Sequence, residues 1–225
     1  MTTTGLRPIT APALTLREEF RVGVRDRILD VAADATLELG WQHVRLAEVS
    51  RQSDVSRATL YREFGTKDAL AHALMAREAG RALVRVREDL QQAPTWETGL
   101  RAALQTALHA REDQPLLAAV LDGGHGDTAL LPLLTTRSGA QLVEGRGLLT
   151  RFLRAHHPRL ADSTLEDAAD VLVRATVSHL VTPEPQHQDA VERVLRLARR
   201  LLPGTPPGTR AHTRAGSVIP RTSTR

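Results

Sequence analysis

Apolar and small side chains return every three or four positions from residue 25 onward. Ile28, Leu29, Ala32, Ala35, Thr36 and Leu39 share one face, which predicts a helix over 25–39. Gly40 closes it, since glycine accepts the backbone conformation that ends a helix. Leu46, Val49 and Ser50 give a second short helix over 46–53, with its turn at Asp54 and Val55. Ser56 is placed to cap a third helix over 57–64, in which Leu60 and Phe64 lie four apart and face inward. Gly65 ends that helix. Thr66 caps a long one that reaches towards Leu90.

Beyond Pro94 the pattern stays helical. Thr95 caps a helix from Trp96 to about Ala110, and Pro115 opens a short one to Leu121. GGHGD at 123–127 is a loop. Residues 128–157 read as one long or broken helix. Ser163 and Glu166 are spaced as a capping box for a helix to about Val181. The PEP at 183–185 breaks the chain, and a last helix runs from about Gln188 to Leu202. The segments 1–21 and 203–225 hold Thr, Pro and Gly without periodicity. They read as a flexible arm and a disordered basic tail.

Composition narrows the class. Apolar residues make up 41% of the 225, but aromatics only 3%. A core of Leu, Val and Ala suits packed helices over a β-sandwich. The absence of cysteine excludes disulfides, thiolate metal sites and a cysteine nucleophile. No apolar run reaches membrane-spanning length, and the N-terminus lacks a secretory pattern, so a cytoplasmic protein with no membrane partner is expected. The net charge of +4 is matched by Arg210, Arg214, Arg221 and Arg225 of the tail alone. The 45–68 stretch is nearly balanced, with Arg45, Arg51, Arg57, Arg62 and Lys67 against Glu48, Asp54, Glu63 and Asp68. Any nucleic-acid affinity there depends on how charge is arranged.

Two short helices around a tight turn, with an exposed arginine at the start of the second, suit a DNA major groove. Ser56, Arg57, Ala58 and Thr59 occupy the end that would meet base edges. A bidentate Arg57–guanine contact is worth about 1–3 kcal/mol of discrimination. Tyr61, Arg62 and Lys67 can reach phosphates, which supply salt-dependent affinity and register. Arg7, Arg17 and Arg21 are candidates for a minor-groove arm or for solubilising charge.

The run VSRATLYREFGTKDAL, residues 55–70, closely resembles the signature of the TetR family of transcriptional regulators. RILDVAADATLELGW, residues 27–41, resembles that family's first helix and glycine–aromatic turn, so the likeness spans about residues 24–72. The resemblance implies an all-α chain. Residues 22–70 would be a three-helix helix-turn-helix DNA-binding domain, and 71–202 a larger helical ligand-binding and dimerisation domain. It also implies that residues 57–62 are the recognition helix and that Tyr61 and Lys67 contact phosphate. The chain departs from the family at three places. Asp54 stands where glycine is usual in the turn, Val44-Arg45 where a capping threonine is common, and Ser50 and Ser53 where alanines are usual. Arg45 can still take the phosphate contact of that threonine.

For the larger half the resemblance implies that the last two helices, 163–181 and 188–202, form a four-helix bundle with a second copy. An effector pocket there should be apolar with few polar groups. Candidate lining residues are Trp96, Leu104, Leu121, Leu142, Leu149, Phe152, Val173 and His179, with Arg174 for a polar end. Ordinary core is the competing reading for each. The histidines lack metal-ligand spacing, no cofactor is implied, and no nucleophile, zinc or Walker motif is present. The sequence therefore points to a homodimeric regulator bound to a double-stranded DNA operator, a repressor released by a small apolar molecule. The alternatives are a constitutive DNA-binding or interaction protein and, further off, an all-helical enzyme.

Overall fold

The computed structural model describes residues 15–126, 128–135, 139–183 and 187–202, and these hold no β-strand. Arg7, the arginines of the tail and the side chain of Arg17 lie outside the described residues. Ten α-helices follow in order: α1 Leu16–Leu39, α2 Leu46–Gln52, α3 Arg57–Phe64, α4 Lys67–Gln92, α5 Trp96–Asp113, α6 Pro115–Leu121, α7 Leu131–Leu134, α8 Gly139–His156, α9 Asp162–Val181 and α10 His187–Leu201. Short 3-10 turns occupy Trp41–His43 and Gly124–Gly126.

The first helix starts nine residues before the apolar pattern does, so residues 16–21 are helix instead of arm. Thr15 and Glu18 form a capping box: the Thr15 N–H donates to the Glu18 carboxylate at 2.8 Å, and the Glu18 N–H donates to Thr15 Oγ1 at 3.3 Å. Phe20 and Val22 on this added stretch are 71% and 46% exposed. A helical turn that buries no apolar stripe leaves no periodicity to read. A second correction concerns α9. Its N-cap is Ala161, with no side-chain cap, so Ser163 and Glu166 lie inside the helix. Asp162 stands in the first turn, where its charge suits the helix N-terminus, and accepts from Arg154 Nε at 2.8 Å. The stretch from 128 to 157 is broken into α7 and α8.

The chain forms two compact units. One comprises residues up to Arg81 together with Arg111–Gly139, and the other Ala82–Ala110 with the residues from Ala140 on. The expected boundary near residue 70 differs because α6 and α7 contribute to the N-terminal core. Leu116, Val120, Leu130 and Leu133 are buried with Ile28, Leu60, Leu70 and Leu74. Helical spacing shows which residues are buried, but not which core receives them.

Within the first unit α4 is tied to α1 by charge as well as by packing. Arg77 Nη1 donates to Asp30 Oδ1 at 2.7 Å and to the Asp26 carbonyl at 3.3 Å. The buried Glu78 carboxylate accepts from Arg81 at 2.9 Å. His125, at φ 56°, sets its Nε2 2.9 Å from the Leu37 carbonyl near the end of α1. The second unit has a core of Leu, Val and Ala around Trp96 and Phe152, built from the end of α4 with α5, α8, α9 and α10. Arg199 grips Glu97 at 3.0 and 3.1 Å, and Arg101 pairs with Glu192, which joins α10 to α5.

Candidate nucleic-acid interface

Leu60 and Phe64 are 1% and 7% exposed and fix one face of α3 into the core of the first unit. The opposite face is left to solvent: Ser56, Arg57, Ala58, Tyr61 and Arg62 are exposed and Thr59 is half-buried. This division follows from eight residues at 3.6 per turn with apolar side chains four apart. Ser56 caps the helix, its Oγ accepting from the Thr59 N–H at 3.1 Å and donating to Thr59 Oγ1 at 3.0 Å. Gly65, at φ 74°, ends it and returns its N–H to the Tyr61 carbonyl at 2.8 Å. Thr66 then caps α4, accepting from the Ala69 N–H at 3.0 Å.

The turn before α3 shows how this chain manages without its expected glycine. Asp54 takes φ 53°, in the left-handed region that costs most L-residues about 1–2 kcal/mol. Buried Ser50 donates its hydroxyl to the Val55 carbonyl at 2.5 Å, and buried Ser53 donates to the Val49 carbonyl at 2.7 Å. The two serines satisfy backbone oxygens in and beside the turn. Their hydroxyls take up a local bonding role that alanine cannot fill.

Arg45 is the N-cap residue of α2, makes no side-chain cap bond and is exposed. With Arg57 it borders an open concavity between the starts of α2 and α3, also lined by Arg51 and Glu48. Arg51 is committed within this group. Its guanidinium bonds both Glu48 oxygens, which holds the Glu48 carboxyl below the usual carboxylate range and raises Arg51. Lys67, half-buried at the start of α4, donates to the Gln42 carbonyl at 3.1 Å and sits 5.2 Å from the Trp41 ring centroid. It fastens the 3-10 turn to α4, a contact that sequence spacing did not suggest. An ammonium has three hydrogens, so this bond and a phosphate contact are compatible.

Sequence reasoning also missed what stands at the far end of α3. Arg25, from α1, donates Nη1 to the Glu63 carbonyl at 2.9 Å, stands 3.6 Å from its carboxylate and lies 4.5 Å from the Phe64 ring centroid. Arg21 and Arg62 approach the same carboxylate at 4.0 and 3.8 Å. No local pattern signals a partner 38 residues away.

The expected effector residues are only partly brought together. Trp96, Leu104, Leu149 and Phe152 are buried in one core, with Val173 packed against it, while His179 and Leu142 are half-buried. Leu121 falls in the first unit, because α6 packs with the N-terminal core. Arg174 is exposed and donates Nε to Asp170 at 2.7 Å, which lowers the Asp170 carboxyl. It faces away from that core, as a cation within a helical ion pair is stabilised by staying hydrated. His157 is buried instead, its ring 5.2 Å from that of Trp96, edge to face.

Residues 28–74 match the family described as bacterial regulatory proteins, tetR family, and residues 96–200 match the bacterial tetracyclin repressor C-terminal domain. The chain is 30% identical over 196 residues to the HTH-type transcriptional regulator AlkX of Mycobacterium tuberculosis, an alignment covering 83% of this chain and 87% of that protein. Its fold is similar to the crystal structure of the TetR family repressor AlkX from a Dietzia strain, implicated in biodegradation of n-alkanes. That match has a TM-score of 0.62 at 24% identity and covers 79% of this chain and 94% of that one. The fold is also similar to that of the R. erythropolis transcriptional repressor QsdR, at TM-score 0.57 and 19% identity, over 84% and 98% of the two chains.

Proposed function

The chain belongs to the TetR family of bacterial transcriptional regulators, and on that premise we propose that it is a repressor that holds its operator as a homodimer and releases it on binding a small apolar molecule. The observation that carries the reading is the two-faced α3. Leu60 and Phe64 are sunk in the core, while Ser56, Arg57 and Ala58 stand exposed at the end that enters a major groove. Arg57 and Thr59 read base edges. Tyr61, Arg62, Arg45 and Lys67 hold phosphates.

The second copy is met through α9 and α10. Val171 is 41% exposed on α9 although most of that helix's apolar residues are buried or half-buried, which suits a helix with a further partner. Operator binding needs the two copies of α3 about 34–36 Å apart, one turn of the duplex. The effector enters the apolar interior of the second unit near Trp96, Leu149 and Phe152, with His179 at a polar end. It favours a conformer with another spacing. A ligand shifts that equilibrium by its differential affinity for the two states, and by linkage it weakens DNA binding to the same extent. The lever is α4, one unbroken helix from Lys67 to Gln92 that belongs to the first unit up to Arg81 and to the second from Ala82.

The test is selection from a random duplex pool at moderate salt, with the molecular mass in solution measured on and off the enriched DNA. A two-fold-symmetric site bound by a dimer supports the reading. No enrichment over random duplex ends it. A screen of apolar compounds for release of that DNA then tests the effector step separately.

A further inference from the structure

We propose that Arg25 is a positioning residue for DNA recognition. It holds the C-terminal end of α3 through the Glu63 carbonyl, the Glu63 carboxylate and the Phe64 ring, and so sets the angle at which Ser56–Thr59 meet the bases. The inference rests on α3 being the recognition helix.

Leu60 and Phe64 seat α3 on the core, and a contact at its far end can still adjust its direction. At 1.5 Å per residue α3 is about 12 Å long, so a tilt of about 10° about its C-terminal end moves the other end by about 2 Å. A side-chain hydrogen bond to a base edge tolerates only a few tenths of an ångström. The last turn of any helix leaves carbonyls without a partner in the helix. In α3 the Gly65 N–H takes the Tyr61 carbonyl, the Thr66 N–H takes that of Phe64, and Arg25 takes that of Glu63. A cation there also suits the negative end of the helix.

Geometry separates Arg25 from its neighbours. The Glu63 side chain is 8% exposed, so its charge needs a fixed partner. Arg21 and Arg62 are 68% and 69% exposed and touch it only at 4.0 and 3.8 Å, whereas Arg25 is 36% exposed and also covers Phe64. Arg21 and Arg62 keep their charges in solvent. Arg25 donates to the Glu63 backbone and joins α1 directly to α3.

The experiment compares wild type, Arg25→Ala, Arg25→Lys and Glu63→Gln on the duplex enriched by wild type and on random duplex, across a salt series, with thermal melting alongside. Arg25→Ala is expected to lower the ratio of operator to random affinity by at least about tenfold, the scale of one lost base contact. The slope of log affinity against log salt should stay within about half a unit of wild type, because no phosphate contact is removed. Arg25→Lys should recover part of the ratio, since an ammonium still reaches carbonyl and carboxylate. Glu63→Gln should move the ratio the same way by less, and it decides the matter if Arg25→Ala does not fold.

A slope reduced by about 0.9 with the ratio unchanged would make Arg25 a phosphate contact and overturn the inference. A lower melting point with both affinities reduced equally would make it a purely structural residue, which overturns it as well. Unchanged binding by every variant does the same while leaving the repressor reading intact. If wild type itself enriches no duplex, both fall together.

Discussion

Arg57 and Tyr61 differ by one turn on the same short helix, yet they should fail differently when changed. Arg57 follows the Ser56 cap and is exposed at the N-terminal end of α3. Arg57→Ala should relax base preference at one position by about 1–3 kcal/mol while leaving random-duplex affinity nearly intact. Tyr61 is 52% exposed further along the helix. Tyr61→Phe should weaken all sequences alike, and competition binding on a degenerate pool distinguishes the two patterns. Asp54 gives a second test at this scale. At φ 53° an alanine meets the full left-handed penalty, so Asp54→Ala should cost about 1 kcal/mol or more in denaturant melts, and Asp54→Gly should not. The Ser56 cap and the outward placing of Arg57 and Tyr61 were legible because they follow local spacing. Arg25 and the Lys67–Gln42 bond were not, since their partners are set by how α1 meets α3 and how the 3-10 turn at 41–43 meets α4.

Among the elements, α5 and α8 show how a single hydrogen atom can decide a packing distance. A Cβ added at Gly99 would lie 2.6 Å from Phe152 Cζ and 2.9 Å from Ala93 Cβ. Alanine gains about 1 kcal/mol of helix propensity over glycine, but forcing a packed ring aside costs about 1–3 kcal/mol. Phe152 is 8% exposed with the His156 ring centroid 4.4 Å away, so it has little room to yield. Gly99→Ala should therefore lower stability by up to about 2 kcal/mol, with much of the loss recovered in the Gly99→Ala, Phe152→Leu double variant. A double-mutant cycle with no coupling would locate the cost elsewhere. The sequence pattern placed helices 2 to 6 and the last two helices within a few residues. It missed the first turns of α1 because they bury no stripe, and it misread the α9 cap because a serine at the right spacing carries no information on where the first helical bond forms.

For the whole molecule, acid should lower stability in two windows. Burial pushes the His157 imidazole below its ordinary range, with the adjacent His156 adding to the effect. The unfolded chain then binds a proton at His157 that the folded chain resists. Stability from this group is present above about pH 6.5 and is lost as pH falls below that value towards the depressed folded pKa. The Glu97 and Asp170 carboxyls are instead held low by Arg199 and Arg174. Their contribution persists until pH falls below about 4 and then declines as they protonate. Melts between pH 8 and 3 should show both arms, and His157→Gln should flatten the upper one. An unchanged upper arm would mean that another group titrates there.

The chain's local order determined its helices, the helix-turn-helix at 46–64 and the family to which it belongs, because caps, turn residues and apolar spacing act within a few residues of one another. Tertiary structure alone decided which core receives α6 and α7, that His157 is buried against Trp96, and that Arg25 closes the end of α3. Each of these pairs residues far apart in the chain, and no short-range periodicity encodes which distant surface a buried side chain will meet.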